Sequence, residues 1–121
     1  MESKDTDLIF KICGNCSELW ETRNKFLKDK KLEIIGYQAH FKDIEKGLYL
    51  FDHDCETTFG IEVSKFQSLY NGIKYDKVKT GTDECTGKCL IKNNLEPCKA
   101  ECRLAYIREV IQIIKSYKME N

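Results

Sequence analysis

Charge of one sign is missing from this chain. Its 20 Lys and Arg residues are balanced by 20 Asp and Glu, for a formal net charge of zero. A nucleic-acid binder usually carries a basic excess or a basic face. The nearest approach is "TRNKFLKDKK", where Arg23, Lys25, Lys28, Lys30 and Lys31 face Asp29 alone, and this reads as a solvated helix surface. Long hydrophobic runs are missing too: nothing approaches the roughly 18 apolar residues of a membrane span. The opening "MESKDTDLIF" is polar and acidic, without the basic region and apolar core of a signal peptide. The expectation is a soluble, cytoplasmic protein with no membrane partner. Proline occurs once, at Pro97, and no low-complexity linker divides the chain. Residues 1–121 are therefore expected to form one domain. Gly-x-Ser-x-Gly, the P-loop and the dinucleotide fingerprint are all missing, so the sequence leans away from an enzyme.

What remains is a pattern of alternating and helical segments. "DLIFKI" (7–12) predicts a short strand, and "TRNKFLKDK" (22–30) a short helix with Thr22 as N-cap. A strand-rich block follows. "LEIIGYQAHF" (32–41) alternates Ile35, Tyr37, Ala39 and Phe41 on one face, "GLYLFDH" (47–53) is apolar through its middle, and "TTFGIEV" (57–63) alternates Phe59, Ile61 and Val63 outward from a polar face. The short links between them predict a three-stranded antiparallel meander. Ser64 and Gln67 form a capping-box pattern that predicts a helix over "SKFQSLY", ended by Asn71-Gly72. Residues 73–84 read as a polar loop. From Pro97 to about Lys118 the apolar positions fall at helical spacing, predicting a long C-terminal helix packed on the sheet. The fold class is α+β.

The abundant residue is cysteine, with seven in the chain. In a reducing compartment repeated pairs more often bind metal than form disulfides, and an odd number would leave one thiol over. "CGNC" places Cys13 and Cys16 in a Cys-x-x-Cys turn after a strand, with Gly14 and Asn15 supplying tolerance of positive φ. The turn resembles the knuckle of zinc ribbons and rubredoxins, which implies two metal ligands in need of two more. "HDC" offers His53 and Cys55 in a tight turn between strands. His40 is the rival fourth ligand, read as an ordinary strand or surface histidine. Asp52 and Asp54 flank His53, in place to orient a metal-bound imidazole.

The remaining four cysteines form two pairs of equal spacing, Cys85/Cys89 and Cys98/Cys102. On a helix running from Pro97, Cys98 and Cys102 share a face turned away from the apolar stripe, near the N-terminal end that favours thiolates. Cys85 and Cys89 would reach them from the loop. Seven cysteines and one histidine thus make two four-ligand sites, and the expected cofactor is zinc, two ions, both structural. The function expected is a non-catalytic binding or regulatory module. Its partner would be another protein or a second copy meeting the C-terminal helix.

Rival patterns fit less well. A thioredoxin-like protein needs a βαβ unit before its Cys-x-x-Cys and a cis-proline facing it. The small translocase chaperones of the mitochondrial intermembrane space share paired Cys-x-x-x-Cys motifs, but they lack the strands at 32–63. An iron–sulfur site is the alternative to zinc, although these spacings are not a ferredoxin pattern. A redox role, as a thiol–disulfide sensor or an iron–sulfur electron carrier, is the alternative function. Through "HDCETTFGIEV", "TGTDEC", "EPCKAEC" and "AYIREVIQIIK" the chain is similar to small, uncharacterised bacterial cysteine-rich proteins. That resemblance implies a stand-alone bacterial domain and carries no activity.

Overall fold

The computed structural model describes residues 9–117. It begins with a two-stranded hairpin, β1 (Lys11–Ile12) and β2 (Leu19–Trp20), antiparallel with Lys11 opposite Trp20. The expected strand at 7–12 is represented by β1, and residues 7 and 8 lie outside the described residues. A short helix follows, α1 (Arg23–Lys28), and Thr22 caps it as expected by accepting the Lys25 amide at 3.1 Å. This satisfies one of the amides that a helix start leaves without a partner.

The meander forms as predicted. β3 (Leu32–Gln38), β4 (Leu48–His53) and β5 (Thr57–Glu62) lie antiparallel in that order. One register differs from the expected alternation. A bulge between Ile34 and Gly36 turns Leu32, Ile34 and Tyr37 toward the core, while Ile35 is half-buried and Phe41 lies beyond the strand, exposed. A bulge inserts one unpaired residue and so switches the inward set. Glycine suits position 36 because a β-carbon would stand 3.0 Å from the Lys92 carbonyl, tighter than ordinary contact. That carbonyl accepts the Tyr37 amide at 2.8 Å, so the segment around Lys92 covers the free edge of β3.

The predicted helix at 64–70 is replaced by two 3-10 turns, Val63–Lys65 and Gln67–Leu69. Ser64 does not cap: its hydroxyl donates to Glu62 at 3.3 Å, and the Val63 amide donates to the Gly47 carbonyl at 2.8 Å. Local side-chain bonding and a tertiary contact override the capping pattern. Gly72 is likewise not left-handed; the glycines with positive φ are Gly81 and Gly87.

The C-terminal helix α2 spans Ala105–Tyr117 and starts later than expected. Ile107, Val110, Ile111 and Ile114 are buried along one stripe, packed on β3 and the Gln67–Leu69 turn. Burying each such side chain contributes about 1.5–3 kcal/mol. The Tyr49 hydroxyl donates to the Ile107 carbonyl at 2.8 Å and pins the helix to the sheet. Residues 98–104 are not helical. The Arg108 guanidinium donates to the carbonyls of Asn94 and Glu96, and these bonds hold the chain before Pro97 against α2.

The core is strongly aromatic. Phe26 has Phe10, Trp20 and Phe51 around it, with ring centroids 5.3, 5.2 and 5.0 Å away. Trp20 continues this cluster to His53, centroids 5.2 Å apart in an edge-on arrangement. The aromatic core therefore ends at the two hairpin tips, β1–β2 and β4–β5. Among the described residues, no helix is long and apolar enough to cross a membrane.

Candidate metal centre

Each tip is built by its own hairpin. The β1–β2 loop is "CGNCSE": the Cys13 amide donates to the Glu18 carbonyl at 2.8 Å and the Ser17 amide to the Cys13 carbonyl at 3.0 Å. These bonds fold Cys13 and Cys16 to one side. The β4–β5 loop closes with the Glu56 amide on the His53 carbonyl at 2.9 Å. In both loops the residue after the last cysteine takes a left-handed conformation, Ser17 with φ 65° and Glu56 with φ 71°. Positive φ thus falls at those two positions and not at Gly14 or Asn15, where the sequence placed it. Such φ values in residues other than glycine are uncommon.

Strand alternation delivers the histidine. Tyr49, Phe51 and His53 point inward from β4 and all are buried, whereas Asp52 is exposed. The edge-on contact with Trp20 fixes the ring plane. Nδ1 of His53 then faces the sulfurs, 3.2 Å from Cys55 Sγ and 3.7 Å from Cys16 Sγ. Cys13 Sγ lies 3.7 Å from Cys55 Sγ. All four ligand atoms lie within 4.8 Å of one another.

These separations have a simple meaning. Metal–sulfur bonds of about 2.3 Å and metal–nitrogen bonds of about 2.05 Å at tetrahedral angles give sulfur–sulfur edges of about 3.8 Å and sulfur–nitrogen edges of about 3.6 Å. The 3.7 Å separations between Cys13 and Cys55 and between Cys16 and His53 lie close to those edges, and the 3.2 Å between His53 and Cys55 is somewhat shorter. They are far from a disulfide bond of about 2.05 Å, and all seven cysteines are free thiols. The Cys13, Cys16, His53 and Cys55 cluster can hold a metal ion.

The surroundings favour charged sulfur. The Cys13 thiol is brought down from 9.0 to about 6, first by the Cys16 backbone amide and also by the Asn15 amide and the His53 and Cys55 side chains, against its burial. Cys16 is pushed the other way: the Glu18 amide favours its thiolate, but burial and the neighbouring Cys13 and Cys55 sulfurs outweigh it. That is the behaviour of crowded sulfurs, among which one negative charge is placed more easily than two. On the far side of the imidazole, Nε2 is buried without a hydrogen bond, and Asp54 Oδ1 stands 3.5 Å away. With a metal on Nδ1, Nε2 would carry the proton, on the side where that carboxylate stands. His40 is elsewhere: its Nδ1 accepts the Asp43 amide at 2.9 Å.

Two contributors were not singled out from the sequence as site residues. Asn15 donates from Nδ2 to the Cys55 carbonyl at 3.1 Å and to Cys55 Sγ at 3.3 Å, bridging the two tips. Trp20 stands against His53. Its place directly after Leu19, closing the Cys-x-x-Cys hairpin, was the available signal.

The other four cysteines stand apart from this cluster. Cys85 closes a turn at residues 82–85, Cys89 lies in the 3-10 turn Lys88–Leu90, and Cys98 and Cys102 precede α2. Cys98 and Cys102 therefore do not share a helix face, and Cys102 is buried against the core, contrary to the placement expected from helical spacing. Among the described residues, the cluster at the hairpin tips is the one set of three or more such ligand atoms within 4.8 Å of each other. No protein-family model, curated protein or solved structure matches the chain.

Proposed function

We propose that Cys13, Cys16, His53 and Cys55 bind one zinc ion, and that this metal is a scaffold for a binding or regulatory module and takes no part in catalysis. The observation that carries this reading is the spacing of the four ligand atoms, all within 4.8 Å of one another and three pairs of them at 3.2–3.7 Å. Three thiolates and one imidazole are a usual structural-zinc set, and four protein ligands close a tetrahedron without a position for water. The ligands come from hairpin tips about forty residues apart in the chain. Each hairpin alone is short, and a bridge between the tips fixes one against the other. The partner in this reading is another protein or a second copy of the chain, held by the surface that the scaffold keeps in shape.

The test is elemental analysis and a visible spectrum of protein purified without air. Colourless, zinc-containing protein that loses this ion in a Cys16→Ser variant supports the reading. Coloured protein containing iron overturns zinc in favour of electron transfer. Metal-free protein with a reducible disulfide among Cys13, Cys16 and Cys55 overturns it in favour of thiol–disulfide sensing.

A further inference from the structure

Residues 67–101 contain no buried side chain. This stretch has only short 3-10 turns at Gln67–Leu69 and Lys88–Leu90 as regular structure, and its apolar side chains, such as Leu69, Val78 and Leu95, pack against the core only partly buried. Yet its chain folds back on itself around one small cavity of about 10 Å³, against the start of α2. All four remaining cysteines line that cavity, together with apolar Ala100, Leu104 and Ala105. About 10–15 Å³ is the space of a single water-sized probe, which is also the scale of one ion.

Each sulfur there meets a hydrogen-bond donor. The Gly87 amide points at Cys85 Sγ, 3.3 Å, and the Leu104 amide at Cys102 Sγ, 3.4 Å. This is the same two-residue relation that the Asn15 amide has to Cys13 Sγ, 3.4 Å, in the first cluster. The Lys79 amide adds a second donor on Cys102 at 3.2 Å, and the Thr86 hydroxyl contacts Cys98 Sγ at 3.3 Å. The fourth sulfur meets a cation: Arg108, fully buried, reaches Cys89 Sγ from Nη1 at 3.7 Å. Burial pushes the Cys89 thiol up, and the Arg108 guanidinium beside it works against that.

We propose that Cys85, Cys89, Cys98 and Cys102 form a second, all-thiolate metal site, with Arg108 as its buried counter-ion. A divalent ion binds as four S–H protons are released, leaving a centre of charge −2, and the guanidinium offsets one unit of it. The four sulfurs are spread more widely than those of the first cluster, so the ion draws the turn at Cys85 and the strap at Cys98 onto the start of α2. The site is independent of the one at the hairpin tips and stands or falls separately.

The experiment is an anaerobic cobalt(II) titration of the reduced, metal-free full chain. We expect two cobalt ions per chain and thiolate-to-cobalt charge transfer corresponding to seven sulfurs. Cys16→Ala should keep one ion with an all-sulfur spectrum, and Cys98→Ala one ion with a three-sulfur, one-nitrogen spectrum. Arg108→Met should weaken the all-sulfur site about 10–100-fold while leaving the other unchanged, and Arg108→Lys should restore part of that loss. Wild-type protein that saturates at one ion with three-sulfur intensity overturns the second site, whether or not any variant folds. Disulfides joining these four cysteines in anaerobically purified protein overturn it as well. Equal weakening of both sites by Arg108→Met overturns the counter-ion role.

Discussion

At the scale of single residues, the first centre depends on which atoms face one another. His53 was legible from "HDC" between two strands, and the structure adds that it ends β4, where Tyr49, Phe51 and His53 share the inward face. Cys13 and Cys16 were legible from their spacing alone. Asn15 was not, because nothing in "CGNC" tells that its amide group will cross to Cys55. Asp54 stands 3.5 Å from Nε2 of His53, and Asp54→Ala should weaken zinc binding at the first site about 10–100-fold in competition with a chelator. His40→Ala should leave that affinity unchanged, since the His40 ring accepts a backbone amide away from the site. A reversed ranking of these two variants would mean that the wrong histidine has been assigned.

The same residues set a pH dependence. The Cys13 thiol falls from 9.0 to about 6 in the folded chain. Between those values the unfolded chain holds a proton at Cys13 that the folded chain has released, so stability rises with pH. For metal-free, reduced protein this contribution is complete above 9.0 and is lost as pH falls through about 6. The raised thiols, Cys16 and Cys89, act above 9.0 and oppose it there. Urea midpoints taken from pH 6 to 9 should therefore climb, and a flat or falling series would contradict the arrangement of donors around Cys13.

At the scale of elements, alternation and short links made the meander readable, but the bulge at Ile34/Gly36 was hidden. It depends on the approach of Lys92 from far along the chain. The start of α2 was hidden for a related reason. "EPCKAECRL" has a proline well placed for a helix and several good helix formers, and tertiary contacts override that preference. Arg108 takes the carbonyls of Asn94 and Glu96, and Cys102 Sγ takes the amides of Lys79 and Leu104. The buried stripe itself, Ile107, Ile111 and Ile114, followed the expected period. Tyr49→Phe removes the hydroxyl bond that joins β4 to α2. It should cost about 1 kcal/mol in urea unfolding without changing zinc content. Loss of zinc together with stability would show that α2 supports the hairpin tips more directly than this packing implies.

At the scale of the whole molecule, an aromatic core holds the sheet to α1 and α2 and reaches the hairpin tips, while the 67–101 strap packs on it only through partly buried side chains. Structural zinc supplies apparent free energies of about 10–16 kcal/mol in small zinc-finger peptides, comparable with the total stability of a domain, about 5–15 kcal/mol. Chelation at neutral pH under reducing conditions should therefore lower the thermal midpoint by more than about 10 °C, on the scale of about 4–8 °C per kcal/mol for small domains. Re-addition of zinc should restore it. An unchanged melt would show that the core suffices and that the thiols serve another purpose.

The central claim is that Cys13, Cys16, His53 and Cys55 bind one ion together. It is tested most directly by nuclear magnetic resonance of the cadmium-113-loaded protein, correlating each metal with the protons of its ligands. The account predicts one cadmium resonance coupled to the β-protons of Cys13, Cys16 and Cys55 and to the ring protons of His53. A cadmium that couples to His40 in place of His53, or the absence of any metal coupled to these four residues, would contradict it.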